Sequence, residues 1–420
     1  MEQLNPSIAL MCCGSTIDEF YNSIGVSFET LRTDLTGGWT FNYIEALKKV
    51  GVKTVFFLLS SQLNQTLRFT HEPTGTEICV LPTSGLHRAF RCITKWKFLS
   101  SKDFIKSLDS YLVLPFFLTA RELKHQKIQA VVFQDYENPS FDICVLLGRL
   151  IRLPVFATFQ GGTTQKSKIE KYSRFLGLQA CQGLLIGPTA EIQRVCTQYK
   201  IESSKIARIF NPMDASAWHA KERHEVRVEL GISLTARVAV YHGRIDFSHK
   251  GVDILLEAWQ KICEERPEQE LCLLLVGTGH DAPEVEQRIK MLQIPGILWI
   301  NDYICDRSLL WKYLSSADVY VMASRHEGFP VAPIEAMACA LPVVATDAPG
   351  IPDILESGEL HGGLVVPREN PTALALALGK VLDNEEWGRE LGKRARHRVE
   401  TDFALEVVGK QMEEFLFTSH

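Results

Sequence analysis

The chain has 420 residues, 46% of them hydrophobic, which is enough apolar content to fill two cores of ordinary size. Its formal net charge of -5 is small for that length and argues against bulk nucleic-acid binding. The eleven cysteines are scattered, form no Cys-x-x-Cys pair and leave no metal-ligand spacing with histidine, so free thiols in a reducing compartment are the plain reading.

The first residues lack the basic-then-apolar order of a secretory leader. No apolar run approaches the roughly 20 residues that a membrane-spanning helix needs. The expected location is cytoplasmic, with peripheral contact at the inner face of a membrane as the outer limit.

In chain order, Ile8-Ala-Leu-Met-Cys-Cys13 reads as a first strand. Gly37-Gly38 follow, then a helical pattern through Ile44, Leu47 and Val50, closed by Gly51 before a second strand, Val52–Leu59. Strand, glycine turn and helix make an opening α/β unit. The glycine pair either permits a tight turn or lets a diphosphate approach the backbone. Residues 86–106 mix Arg88, Arg91, Lys95, Lys97, Lys102 and Lys106 with Phe90, Trp96 and Phe98. A helix of this composition lies on anionic lipid or presents a solvated face over core aromatics. The second reading is favoured, because apolar and basic positions do not separate on a helical wheel.

Further along, Ala130–Phe133 and Pro154–Thr158 read as strands, with a helix over 141–150 between them. Gln134–Pro139 and Phe159-Gln-Gly-Gly162 are the loops at their carboxyl ends, and Gly183–Gly187 reads as the last strand of a first domain. After a passage over 205–214, Arg237–Tyr241 starts a second sheet, followed by Gly243-Arg244, a helix over 252–262, the buried strand Leu271–Val276 and Gly277-Thr-Gly279. An amphipathic helix over 404–417 ends the chain.

The most informative stretch is Ser324-Arg-His-Glu-Gly-Phe-Pro-Val-Ala-Pro-Ile-Glu-Ala-Met-Ala-Cys-Ala340, set between strands at 317–323 and 341–346. Pro333 suits the first turn of a helix. The loop at residues 327–332 then sits where free amides and a helix dipole favour an anion. Glu327 and Glu335 flank it. Carboxylates repel phosphate, so these two more reasonably accept hydrogen bonds from vicinal hydroxyls, as on ribose or a hexose. Phosphates on amides and hydroxyls on acids describe a nucleotide sugar. Alternatively, Glu335 only adds charge near a helix start and Glu327 is a loop acid.

Glu327 and Glu335, within Glu-Gly-Phe-Pro-x5-Glu-Ala-Met-Ala, resemble the paired-glutamate motif of retaining glycosyltransferases of the family 4 type. Gly37-Gly38, Phe210–Asp214, Gly243–Asp253 and Leu275–Gly279 resemble further segments of that family in the same order. The resemblance implies a GT-B fold, two Rossmann-like α/β domains with parallel sheets facing across a cleft. It implies an acceptor-binding domain over 1–210, completed by a helix over about 400–420, and a donor-binding domain over 211–399. It implies retaining transfer of a sugar from a nucleoside diphosphate sugar, UDP by family habit, to an acceptor hydroxyl, with no metal or other cofactor. Lipid, glycan and small metabolite remain open as acceptor.

By the same resemblance Arg244 and Lys250 stabilise the leaving diphosphate, Glu327 lies beside the donor sugar, and Glu335 holds the ribose. Gly37, Gly38 and Gly243 and the amides of Gly328, Phe329 and Val331 approach the donor, while Pro330 has no N–H to give. Gly277, Gly279, Tyr303 and Ile304 frame the base. The chain departs from the family at Gln160-Gly161, where many members have His-Gly, and glutamine cannot shuttle a proton near pH 7. Asp135, Tyr136 and Glu137, with Gln160 and Gly161, are therefore the acceptor-side candidates. Three rivals stay open: an NAD(P)-dependent oxidoreductase, which would need a helix start and a third glycine after Gly277-Thr-Gly279; a non-catalytic GT-B protein that binds nucleotide sugars; and a hydrolase or phosphorylase on the same fold.

Overall fold

The computed structural model describes residues 6–13, 16–18, 27–33, 38–94, 108–162, 168–218, 221–304 and 306–418. Gly37 and the basic stretch over 95–106 lie outside these. The chain forms two compact units, Met1–Phe210 with Leu405–His420, and Asn211–Ala404.

The first unit is built on strands β1 (Ser7–Cys12), β2 (Lys53–Ser60), β3 (Leu67–Thr70), β4 (Glu77–Pro82), β5 (Ala130–Phe133), β6 (Val155–Thr158), β7 (Gly183–Leu185) and β8 (Ile206–Ala207). Their order across the sheet is β3-β4-β2-β1-β5-β6-β7-β8. All neighbours are parallel except β3, which runs antiparallel to β4. Strand alternation feeds two cores at once: Ala9 and Met11 enter one layer, Ile8 and Leu10 the other. The terminal helix Leu405–Phe417 belongs to this unit. It packs on the helix Gly38–Lys49 through Gly409, where a Cβ would stand 2.2 Å from the Ala46 carbonyl oxygen. Phe415 meets Phe156 edge-on at 5.6 Å.

Three strands of this sheet differ from the sequence reading, among them β4, a short buried run that the reading leaves out. The antiparallel edge strand β3 escaped notice because its four residues, Leu-Arg-Phe-Thr, are mostly exposed and carry no apolar run. The last strand is β8 rather than β7; two residues give no period to read.

The second unit holds β9 (Arg237–His242), β10 (Leu271–Val276), β11 (Ile297–Ile300), β12 (Val319–Met322), β13 (Val343–Thr346) and β14 (Gly363–Val366) in a parallel sheet ordered β11-β10-β9-β12-β13-β14. The chain therefore reverses direction across the sheet between β9 and β12, a switch point where loops at the carboxyl ends of strands diverge and leave a crevice. The helix Val252–Glu265 covers one face with Ile254, Leu255, Ala258 and Ile262, and buries Trp259, whose indole N–H donates to the Pro295 carbonyl at 3.1 Å. Among the described residues no helix is long and apolar enough to cross a membrane.

Candidate functional site

Both sides of the β9/β12 switch point carry the predicted residues. On the β12 side, Pro333 stands in the first turn of the helix Ala332–Ala338, and the first intrahelical bond runs from Glu335 N to Val331 O at 2.9 Å. Glu327 is buried in the loop before it. Lys250 Nζ donates to both its oxygens, at 2.7 and 2.9 Å, and Ser324 Oγ donates to Oε1 at 2.6 Å. The two residues are 77 positions apart in sequence and meet because Lys250 ends the short helix Phe247–Lys250 after β9.

That helix is capped by Asp246, whose Oδ1 accepts from His249 N at 2.9 Å. Burial alone would raise the Asp246 pKa, but the bonds from His249 and Ser248 and the charge of Arg244 outweigh it and bring the value to about 2. Arg244 reaches Asp246 Oδ2 at 3.1 Å, with 60% of its side chain exposed. Arg325 fastens the two loops together. Its guanidinium grips Asp253 at 2.6 and 2.8 Å and Glu369 at 2.6 and 3.0 Å, while Arg325 N donates to His249 O at 2.7 Å.

Glu335 has a different partner. Its Oε2 lies 2.8 Å from Nε2 of His242, the last residue of β9. His242 is 7% exposed, and its Nδ1 is buried without a hydrogen-bond partner among the described residues. This histidine is the functional candidate that motif reasoning passed over; it stands directly before Gly243-Arg244, yet nothing local announces a partner 93 residues away.

The glycines have a backbone reason. Gly243 and Gly277 adopt φ of +148° and +139°, and a Cβ on Gly277 would fall 1.9 Å from Gly243 O. A Cβ on Gly279 would fall 2.1 Å from Ile245 O. The loops after β9 and β10 thus prolong the sheet's pairing, Gly243 N donating to Val276 O and Ile245 N to Thr278 O, both at 3.0 Å. Trp299 Nε1 donates to Gly277 O at 3.0 Å, which occupies that carbonyl. A helix, Ala282–Leu292, follows these glycines, although its start is not obvious in the sequence. Tyr303 is 50% exposed, and Ile304 beside it is partly buried. Gly328 O lies so close to Gly350 that a Cβ there would come within 2.2 Å. Phe329 is buried and accepts at its carbonyl from Asn211 Nδ2 at 3.2 Å.

In the first unit, Gly38 opens the helix Gly38–Lys49. Asp135, at φ +67°, follows β5 and accepts from Glu137 N at 3.2 Å. Burial pushes its carboxyl up to about 6, against the pull of the amides of Glu137, Gln160 and Gly162. It therefore ties the loop over 159–162, including Gly161 at φ +92°, to the end of β5. Gln160 Nε2 donates to Thr158 Oγ1 at 3.3 Å. Tyr136 is fully buried, with its hydroxyl donating to Glu191. Glu137, also buried, accepts from Arg194, which holds Glu191 as well at 2.6 Å. Burial raises the Glu137 carboxyl to about 7, with Arg194 opposing the shift. Tyr136 and Glu137 thus spend their polar groups on an internal network.

Of the basic stretch, the helix Gly85–Thr94 is described: Arg88 donates to Asn64 Oδ1 at 3.1 Å and Arg91 to Asp109 Oδ2 at 3.3 Å.

Residues 236–384, inside the second unit, match the family model of Glycosyl transferases group 1. An uncharacterized glycosyltransferase of Haemophilus influenzae is 23% identical over 69% of this chain and 76% of its own. N-acetyl-alpha-D-glucosaminyl L-malate synthase of Bacillus anthracis is 27% identical over 50% of this chain and 52% of its own, and the chain likewise spans about half the length of other curated relatives. Sucrose-phosphate synthase from Thermosynechococcus elongatus superposes with a TM-score of 0.71 at 20% identity, covering 97% of this chain and 98% of its own. Alr3699/HepE of Anabaena, solved with UDP, superposes with a TM-score of 0.70 at 14% identity over 97% and 98%. The chain therefore has the GT-B fold, and its residues 236–384 are similar to Glycosyl transferases group 1.

Proposed function

We propose that the protein is a retaining glycosyltransferase that moves a sugar from a nucleoside diphosphate sugar, UDP in the first instance, to an acceptor hydroxyl. The observation that carries the reading is the meeting of Lys250 with Glu327, and of His242 with Glu335, at one switch point. Glu335, oriented by His242, accepts from the ribose hydroxyls. Glu327 accepts from hydroxyls of the donor sugar. As the glycosidic bond breaks, charge develops on the departing diphosphate; Arg244 and Lys250 are fixed cations that lower that barrier in the role a divalent metal fills elsewhere. The acceptor hydroxyl attacks from the face the diphosphate leaves, and a phosphate oxygen takes its proton. Glycosidases place two carboxylates across one scissile bond; here each glutamate serves a different part of one donor.

The first unit takes the acceptor on this reading, with Asp135 and Gln160 as the side chains at strand ends there. Solved neighbours carry UDP, UDP with glucose, and UDP-glucose, which supports a uridine donor. Calorimetric titration with UDP, GDP, ADP and NADH on wild type and Glu335→Ala tests the site. One nucleoside diphosphate binds, and about tenfold more weakly in the variant, roughly 1.4 kcal/mol. NMR of the product anomer then tests retention. Binding of NADH alone, or of nothing, sinks the proposal.

A further inference from the structure

The second unit has another cavity, of about 690 Å³, at the amino-terminal end of its sheet, opposite the loops described above. Its walls come from the starts of β9, β12 and the helices Arg223–Leu230 and Glu385–Arg398, with the turn Cys339–Pro342 between them. Four arginines converge there on two carboxylates. Asp318 accepts from Arg223 at 2.6 Å and from Arg227 at 2.9 Å. Glu385 accepts from Arg237 at 2.8 Å and also from Arg389. Lys221 and Glu222 on the rim cancel, and Lys393 is turned to Glu390 at 2.5 Å, so a surplus of two positive charges remains.

The guanidinium groups are not alike. Arg227 is 4% exposed and donates to the carbonyls of Ser316, Leu234 and Ala236, so it is structural. Arg223, Arg237 and Arg389 keep 32%, 33% and 64% of their side chains exposed, and each carboxylate bond engages one terminal nitrogen of a fork that carries five N–H donors. The helix Arg223–Leu230 begins at this cavity without a side-chain cap. Crowded cations with unspent planar forks suit phosphate oxygens, which accept two parallel N–H bonds at once.

We propose that this cavity is a second binding site, for a small, multiply charged phosphate compound, with Arg223, Arg237 and Arg389 as its ligands. The site is independent of the donor-site reading. The probe is inorganic tripolyphosphate, titrated calorimetrically into the full chain at 150 mM NaCl, with sulfate as a control. Binding is expected for wild type and, at this cavity, is expected to persist in Arg244→Gln. It weakens at least tenfold in Arg223→Gln/Arg389→Gln, and by several-fold in the single variant Arg389→Gln, whose exposed side chain leaves folding intact. Absence of binding in wild type overturns the proposal. So does binding that Arg244→Gln abolishes and the cavity variants spare, or binding that sulfate matches.

Discussion

The bond between Lys250 and Glu327 joins two loops across the switch point, and its energetic worth is testable apart from any activity. The carboxylate is 7% exposed and the ammonium 21%, so both ends are largely out of water. At 2.7 Å the gross Coulomb attraction is roughly 6 kcal/mol at an effective dielectric of 20, and most of that offsets desolvation. Lys250→Met leaves the carboxylate with the Ser324 hydroxyl alone. The loss on breaking one side of a buried pair is about 3–5 kcal/mol; with the lysine one-fifth exposed we expect about 3. Glu327→Gln leaves a lysine that can turn toward water, and should lose only about 1–2 kcal/mol. The double variant should then be more stable than additivity requires, by about 1–2 kcal/mol. Urea unfolding followed by tryptophan fluorescence reports on this unit, since five of the seven tryptophans, Trp218, Trp259, Trp299, Trp311 and Trp387, lie within it. Additivity within about 0.5 kcal/mol would show that the pair is not the clasp described here.

Removing the histidine behind Glu335 should weaken nucleotide binding without unfolding the chain. UDP affinity of His242→Phe should fall about fivefold to tenfold while its melting temperature stays within a few degrees, and an unchanged Kd would separate His242 from the site. The pH profile of stability should carry the mark of Asp135 and Glu137, at about 6 and about 7. Raised acids bind protons more tightly in the folded chain, so stability falls as pH rises from the unfolded values near 4 through the folded ones, by roughly 2–3 kcal/mol per group. Glu137→Gln should flatten the fall between pH 5 and 8 by about that amount; identical slopes in chemical denaturation would refute the assignment. Gly277→Ala forces a Cβ to 1.9 Å from Gly243 O and should lower the melting temperature by at least about 6 °C. Gly51→Ala, also at positive φ but with open space around it, should cost about 1 kcal/mol, and equal effects would mean that φ rather than the close approach decides.

Local sequence determined the elements with strong periodicity. Buried strands such as Leu271–Val276 are continuous apolar runs because both faces are covered, and Pro333 marks a helix start because its ring presets φ. The Glu327 and Glu335 spacing across a strand, loop and helix was equally legible, as were the glycines at 243, 277 and 279. Their reason was not: each allows one backbone to approach another, which is a property of two loops and not of either. Only the tertiary structure brings Lys250 to Glu327 across 77 residues and His242 to Glu335 across 93. Only it buries Tyr136 against Glu191, turning an apparent strand-end ligand into part of a core network. Hydrogen bonds and ion pairs act over about 3 Å of space whatever the sequence separation. Periodicity reports which face of an element is buried, and the β9/β12 switch point decides which partner lies there.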